Sequence, residues 1–181
     1  CQNWEISQQN PENVVAEKLE PEEIAELAKR CGCRSIAYTY TEPIVYYEYT
    51  LDSCMKVSEA GLFNVLVTAG YANTEPWRRI CRFVAGANID LKSISDTFYR
   101  EVCSASLLPV QRSLIAAKES ELIVEVTNLI IPTLNDKDED LQKLSQWIVE
   151  NLGRDTPLHF SRFYPAYRMQ HLPPTPAETL L

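Results

Sequence analysis

Three charged residues stand at the ends of predicted strands, where a small polar ligand can be held. Glu42 closes the run Ser35 to Pro43 (SIAYTYTEP), and Asp90 and Lys92 lie in Ala87 to Ser93 (ANIDLKS). An Asp and a Lys two apart on one strand point the same way, so they offer an acceptor and a fixed cation to one ligand. The plainer alternative is an ion pair that fills space, and Lys92 can also be read as a Schiff-base nucleophile. Glu42 has two readings of its own. It can favour the positive N-terminus of a following helix, or it can be a ligand contact at the C-terminal rim of a sheet. Thr41, Thr68, Thr127 with Asn128, and Ser161 with Arg162 are the other polar residues at strand ends. Cys1 is the first residue, with nothing upstream to explain it.

The elements that must position these residues follow from periodicity. Tyr38, Thr39, Tyr40 and Thr41 are strand formers, and Pro43 suits the first turn of a helix, so a strand is predicted over 35–43 and a helix from about Ile44 to Gly61. Pro21, Glu22 and Glu23 open an earlier helix, with Ile24, Leu27, Ala28 and Cys31 on one stripe and Gly32 as its stop. Residues 1–15 read as a loop. Further strands are predicted at Phe63 to Thr68, Ala87 to Ser93, Leu122 to Ile131 and Leu158 to Phe163. Between them, helices are predicted from Asn73 to Gly86, Leu107 to Glu119 and Asp136 to Asn151.

Five strands alternating with helices at these spacings imply βα units of a parallel sheet. A parallel strand covered by helices on both faces should be apolar throughout. Here Asn88, Asp90 and Lys92 alternate with Ile89 and Leu91, Glu125 and Thr127 with Val124 and Val126, and His159 and Ser161 with Leu158 and Phe160. One polar face per strand predicts a closed or partly closed barrel with a polar lumen. No dinucleotide-binding or phosphate-binding glycine loop supports the doubly wound alternative.

With 181 residues and 45% hydrophobic content, one domain spanning 1–181 is expected. The net charge of -8 and sequence pI near 4.8 argue against a nucleic-acid surface. No stretch reaches the roughly 20 apolar residues of a membrane span, and no signal peptide is evident, so a soluble cytoplasmic protein without membrane contact is expected. The six cysteines read as thiols, with Cys31, Cys54 and Cys81 on apolar helix stripes and expected in the core. Both ends look truncated: the first strand of a barrel has no sequence to occupy, and a helix opening at Thr175 to Glu178 stops at Leu181.

The words CQNWEISQ (1–8), YTYTEP (38–43), VTAGY (67–71), DLKSISDTFYREVC (90–103), VEVTNLIIPTLND (124–136) and PLHFSRFYPAY (157–167) resemble, in order, one group of the radical SAM superfamily. That group is similar to the pyruvate formate-lyase activating enzymes and belongs to the AmmeMemoRadiSam system, encoded beside Memo-like and AMMECR-like proteins. The resemblance implies a partial (β/α)6 TIM-like barrel whose first strand precedes this chain. It implies two cofactors, a 4Fe-4S cluster and S-adenosyl-L-methionine, with Cys1 as the third of three cluster thiolates. It further implies that Glu42 holds the cofactor's amino group, Asp90 the ribose hydroxyls and Lys92 the methionine carboxylate, with Thr41, Thr68, Ser161 and Arg162 around them.

Departures from the pattern are Ala69 in place of Asn, Val67 in place of the activating enzymes' Asp, Tyr164 in place of His, and Tyr40-Thr41 in place of a double glycine. The implied activity is reductive cleavage of S-adenosylmethionine to a 5′-deoxyadenosyl radical for hydrogen abstraction. The implied partners are a protein substrate, as in glycyl-radical activation, and an electron donor such as flavodoxin or ferredoxin. Two alternatives stand beside this: a barrel lyase or aldolase using Lys92, and a non-catalytic barrel that binds a partner.

Overall fold

The computed structural model describes residues 3–13 and 15–180, and Cys1 lies outside them. A one-turn helix α1 (Trp4–Ser7) and helix α2 (Pro21–Arg30) precede the sheet. Five strands then follow, β1 (Ser35–Tyr38), β2 (Phe63–Thr68), β3 (Gly86–Asp90), β4 (Ile123–Ile130) and β5 (Leu158–Arg162), all parallel and paired in chain order. The crossovers carry α3 (Tyr47–Glu59), α4 (Thr74–Cys81), α5 (Asp96–Cys103) with α6 (Leu107–Glu119), and α7 (Asp138–Leu152). A doubly wound sheet reverses strand order at its switch point. This sheet never reverses, and it is the open section of a β/α barrel that the sequence pattern predicts. Among the described residues no helix is long and apolar enough to cross a membrane.

The alternation within strands divides the two faces. Ala87, Ile89, Val124, Val126 and Ile130 are buried, while Asn88, Asp90, Glu125 and Thr127 between them are only partly covered. The apolar face receives Trp77, Ile80, Leu114, Leu144 and Ile148 from the helices. Each such side chain contributes roughly 1.5–3 kcal/mol by leaving water. Trp77 also donates its indole N–H to the Ser113 carbonyl at 2.9 Å, which ties α4 to α6.

Several boundaries differ from expectation. β1 ends at Tyr38, and α3 starts only at Tyr47. Residues 39–46 form a turn, because the Glu42 carboxylate accepts the Ile44 N–H at 3.1 Å and Thr50 Oγ1 donates to the Pro43 carbonyl at 2.8 Å. β3 stops at Asp90, two residues before Lys92. Helix α5 was not anticipated; it is short, and its Ser95 cap, which accepts the Phe98 N–H, is a weak signal beside Asp96. The N-terminal segment holds α1 and a 3-10 turn at Pro11–Asn13 where a loop was expected. The opening at Thr175 becomes a 3-10 turn, Ala177–Leu180.

Asn64 is the one polar side chain that β2 sends towards the middle of the helix layer. Its Oδ1 accepts the Tyr38 hydroxyl at 3.0 Å, and its Nδ2 lies 2.9 Å from the Cys54 carbonyl, 3.0 Å from Ser58 Oγ and 2.8 Å from the Phe83 carbonyl. It therefore joins β1, α3 and the turn before β3. Removing it takes the partner from the buried Tyr38 hydroxyl and breaks the ties to α3 and the turn before β3. Asn64→Ala should lower the unfolding free energy by about 3 kcal/mol in urea titration, and a loss under about 1 kcal/mol would show that this hub is not needed.

The cysteines divide differently from expectation. Cys54 and Cys81 are buried, but Cys31 is exposed, because it sits one residue past α2 as its C-cap. Cys33 is exposed too. Burial pushes the Cys54 thiol up to about 12 and Cys81 up to about 11, from an ordinary value of 9.0. The native state thus keeps both protons through a window in which the unfolded chain has lost them. Stability is full below about pH 9 and falls as pH rises from there towards 11 and 12. At pH 8, iodoacetamide followed by mass spectrometry should label Cys31 and Cys33 at least tenfold faster than Cys54 or Cys81; equal rates would contradict this burial pattern.

Candidate functional site

Glu42 reaches across the end of β2. Its Oε1 accepts the Thr68 hydroxyl at 2.6 Å and its Oε2 accepts the Ala69 N–H at 2.7 Å, in addition to the Ile44 N–H. Thr68 Oγ1 in turn accepts the Gly70 N–H at 3.0 Å. One carboxylate thus collects a hydroxyl and two backbone donors from both sides of the β1–β2 junction, and such charge-assisted bonds are the strong ones. The helix-start reading of Glu42 is only part of the account, since its other two partners lie on and just after the neighbouring strand. Thr68 pairs with Ile89, the residue before Asp90. Adjacent strands lie about 5 Å apart, so this anchored carboxylate stands one strand from the Asp90 position.

Asp90 and Lys92 do meet. Lys92 Nζ lies 2.8 Å from Asp90 Oδ2, and each side chain is 35% exposed, so the pair faces solvent at the rim instead of filling a core. The backbone under them is held tightly. Leu91 donates its N–H to the Thr127 carbonyl at 3.0 Å and its carbonyl accepts Asn128 Nδ2 at 2.7 Å. Lys92 donates its N–H to the Tyr99 hydroxyl at 3.1 Å, and its carbonyl accepts Asn135 Nδ2 at 2.7 Å. Burial pushes the Tyr99 hydroxyl's pKa up, so it stays protonated as a neutral partner. Asn135 also serves the Leu129 carbonyl and the Ile131 N–H, locking the turn after β4 to the end of β3.

The remaining candidates divide. Ser161 lies on β5 in register with Leu129. Arg162 faces the other way, donating Nε to the Thr175 carbonyl at 2.8 Å and covering the Tyr164 ring at 5.4 Å. Thr41 is exposed in the turn after β1. The Trp4 ring stacks on Tyr167 at 5.7 Å and 15°, which joins the N-terminal turn to the segment after β5. Sequence reasoning missed Tyr99, Asn135 and the propping role of Asn128. Their only sequence signals are an Asn in the turn after Pro132, an Asn at the end of β4 and a Tyr on an amphipathic helix.

The model of the radical SAM superfamily matches residues 1–148. The chain belongs to the radical SAM superfamily. An uncharacterized protein of Methanocaldococcus jannaschii, MJ0808, is 48% identical over 180 residues, covering 99% of this chain and 53% of that protein. The chain therefore spans about half the length of the curated relative it matches. Among solved structures, a domain of pyruvate-formate lyase-activating enzyme from Bacteroides vulgatus superposes with TM-score 0.63 at 16% identity, over 80% of this chain and 87% of that one. SuiB of Streptococcus suis, bound to S-adenosylmethionine, gives TM-score 0.67 at 12% identity, over 89% of this chain and 38% of that one. These likenesses show the fold.

Radical SAM proteins use a 4Fe-4S cluster and S-adenosylmethionine, and the rim fits the second of these. The cofactor's methionine end is a zwitterion, which calls for an anion and a cation side by side. Glu42, from the turn after β1 and anchored at the end of β2, and Asp90 of β3 supply carboxylates, and Lys92 just past β3 an ammonium. For the cluster, Cys1, the expected thiolate, lies outside the described residues. Among the described residues no group of three or more His, Cys, Asp or Glu is arranged to hold a metal ion.

The turn that carries Ala69 and Gly70 rests on a close approach. Gly70 has φ +63°, and a Cβ there would meet Ile89 Cγ2 at 2.7 Å, whereas Gly61, at φ +76°, has nothing within 4 Å. Both positions penalise a side chain through φ, but only Gly70 adds a collision on β3. Gly70→Ala should lower the unfolding free energy by about 3 kcal/mol and Gly61→Ala by about 1 kcal/mol. Equal losses in denaturant titration would show that the contact with Ile89 is not limiting.

Proposed function

We propose that this chain is the cofactor-binding section of a radical SAM enzyme that cleaves S-adenosylmethionine reductively and uses the resulting radical for hydrogen abstraction. The observation that carries this is the pairing of the Asp90–Lys92 ion pair with the anchored Glu42 carboxylate at adjacent strand ends. When bound, the cluster and S-adenosylmethionine supply a 5′-deoxyadenosyl radical by one-electron cleavage of the sulfonium. The chain's own residues orient and hold. Glu42 offers the amino group a carboxylate that the Thr68 hydroxyl and Ala69 N–H keep in place. Lys92 would hold the methionine carboxylate and Asp90 the ribose hydroxyls. Cys1 would supply a thiolate to the cluster.

With Asp90 at 2.8 Å, the Lys92 ammonium is arranged as a charge partner and not as a free nucleophile, which disfavours the aldolase alternative. The finer reading is a glycyl-radical activase-like action on a protein substrate, with flavodoxin or ferredoxin as reductant. Its support is the exposed concave face and the similarity in fold to an activating-enzyme domain and to SuiB, which has been solved bound to its precursor peptide SuiA.

Anaerobic iron and sulfide reconstitution of the complete polypeptide should give a protein-bound iron–sulfur cluster, read from its visible absorbance and from iron and sulfide analysis. 5′-Deoxyadenosine formation should then fall at least tenfold in Glu42→Gln, Asp90→Asn and Lys92→Met, and to background in Cys1→Ala. Unchanged rates in all four would refute the assignment.

A further inference from the structure

The polar face of the sheet continues below the Asp90–Lys92 pair into a second hydrogen-bonded set that the cofactor does not account for. Glu125 on β4 accepts His159 Nε2 of β5 at 3.1 Å and Asn88 Nδ2 of β3 at 3.5 Å, both on Oε2. Thr127 donates to Asn88 Oδ1 at 2.8 Å, which orients the Asn88 amide so that its nitrogen faces Glu125. Glu125 Oε1 has no hydrogen-bond partner among the described residues, and the side chain is 44% exposed. Strand register puts Asp90 level with Thr127 and His159, and Asn88 level with Glu125. A strand rises about 3.3 Å per residue, so Glu125 lies about 7 Å below the Asp90 level on the same face.

Beside this carboxylate is a cavity of about 270 Å³ whose walls include Val65, Gly86, Ile123, Asn88 and Glu125. Its floor is apolar, and at Gly86 the β3 backbone runs close to β4, since a Cβ there would meet the Ile123 carbonyl oxygen at 3.1 Å. Ile123 is left 73% exposed beside it. Charge decides what this site takes. Asp90 and Lys92 pair with each other, whereas Glu125 meets only His159 and Asn88 among the described residues, both on Oε2. An apolar floor ending in one half-exposed carboxylate with a free oxygen suits an aliphatic stem that carries a cation.

We propose that the concave face between β2 and β5 binds a primary ammonium on a short aliphatic stem, with the nitrogen on Glu125 Oε1 and the stem against Val65, Gly86 and Ile123. His159 and Asn88 hold Oε2 and so fix which oxygen the ligand meets. The ligand is either a free alkylamine or a lysyl side chain of a peptide. The inference rests on the radical SAM reading only for its consequence, that such a group sits on the cofactor's face of the sheet as a substrate.

The test is ligand-observed NMR on the complete polypeptide, titrating n-butylamine, n-butyrate, methylamine and Nα-acetyl-lysine amide. n-Butylamine should bind at least tenfold more tightly than n-butyrate, which lacks the cation, and than methylamine, which lacks the stem. Glu125→Gln should weaken n-butylamine binding about tenfold. Tighter binding of Nα-acetyl-lysine amide than of n-butylamine identifies the peptide source, and the reverse identifies a free amine. No binding of n-butylamine, no preference over n-butyrate in the unmutated protein, or unchanged affinity in Glu125→Gln overturns the proposal. S-Adenosylmethionine titrated into the same samples separates the two ideas. Amine binding without cofactor binding refutes the function proposed above alone, and cofactor binding without amine binding refutes this site alone.

Discussion

A single carboxylate holds the first two strand ends in their working relation. Between Tyr38 and Tyr47 the chain has neither ladder nor helix to define it, and Glu42 supplies the definition by drawing the Thr68 hydroxyl, the Ala69 N–H and the Ile44 N–H onto two oxygens. Three donors around one anion give a fixed direction to a side chain that is only partly covered. The same bonds fix the turn after β2, since Thr68 passes the constraint on to the Gly70 N–H. On the proposed reading, in which Glu42 meets the cofactor's ammonium, the side chain is thereby oriented before the ligand arrives, and little ordering remains to be done on binding.

The other half of the rim is fixed by amides. Asn128 and Asn135 satisfy the Leu91 and Lys92 carbonyls, and Tyr99 takes the Lys92 N–H. β3 therefore keeps its alternation for two residues past its last ladder pair, and Asp90 and Lys92 share a face although only one of them is in the strand. Each prop comes from a different element: β4, the turn after it, and α5. The short helix absent from the sequence reading is thus one of the supports of the ion pair.

Most of the architecture was legible because burial is one-sided. Val124 and Val126 against Glu125 and Thr127, and Ile89 and Leu91 against Asp90 and Lys92, state both the strand and the polarity of its two faces. The strand order follows once each crossover is long enough for a helix. What was not legible is whatever depends on side chains meeting at long range. A run of Thr and Tyr after β1 has strand propensity, yet Glu42's own hydrogen bonds override it. Cys31 fits an apolar stripe by spacing, but the helix ends one residue too soon. Asn135 looks like an ordinary turn residue until its two carbonyl partners are seen.

The stack of Trp4 on Tyr167 differs in kind from every other tie in the sheet. Each strand pairs with its immediate successor, so the sheet can grow one unit at a time from contacts that are modest in sequence separation. The stacked rings join the first turn to the segment beyond the last strand, and they have nothing to meet until all five units are in place. In kinetic terms this contact forms late: it closes a very long stretch of chain, at a cost that grows slowly with length, and it needs the segment after β5 already set against the N-terminal turn.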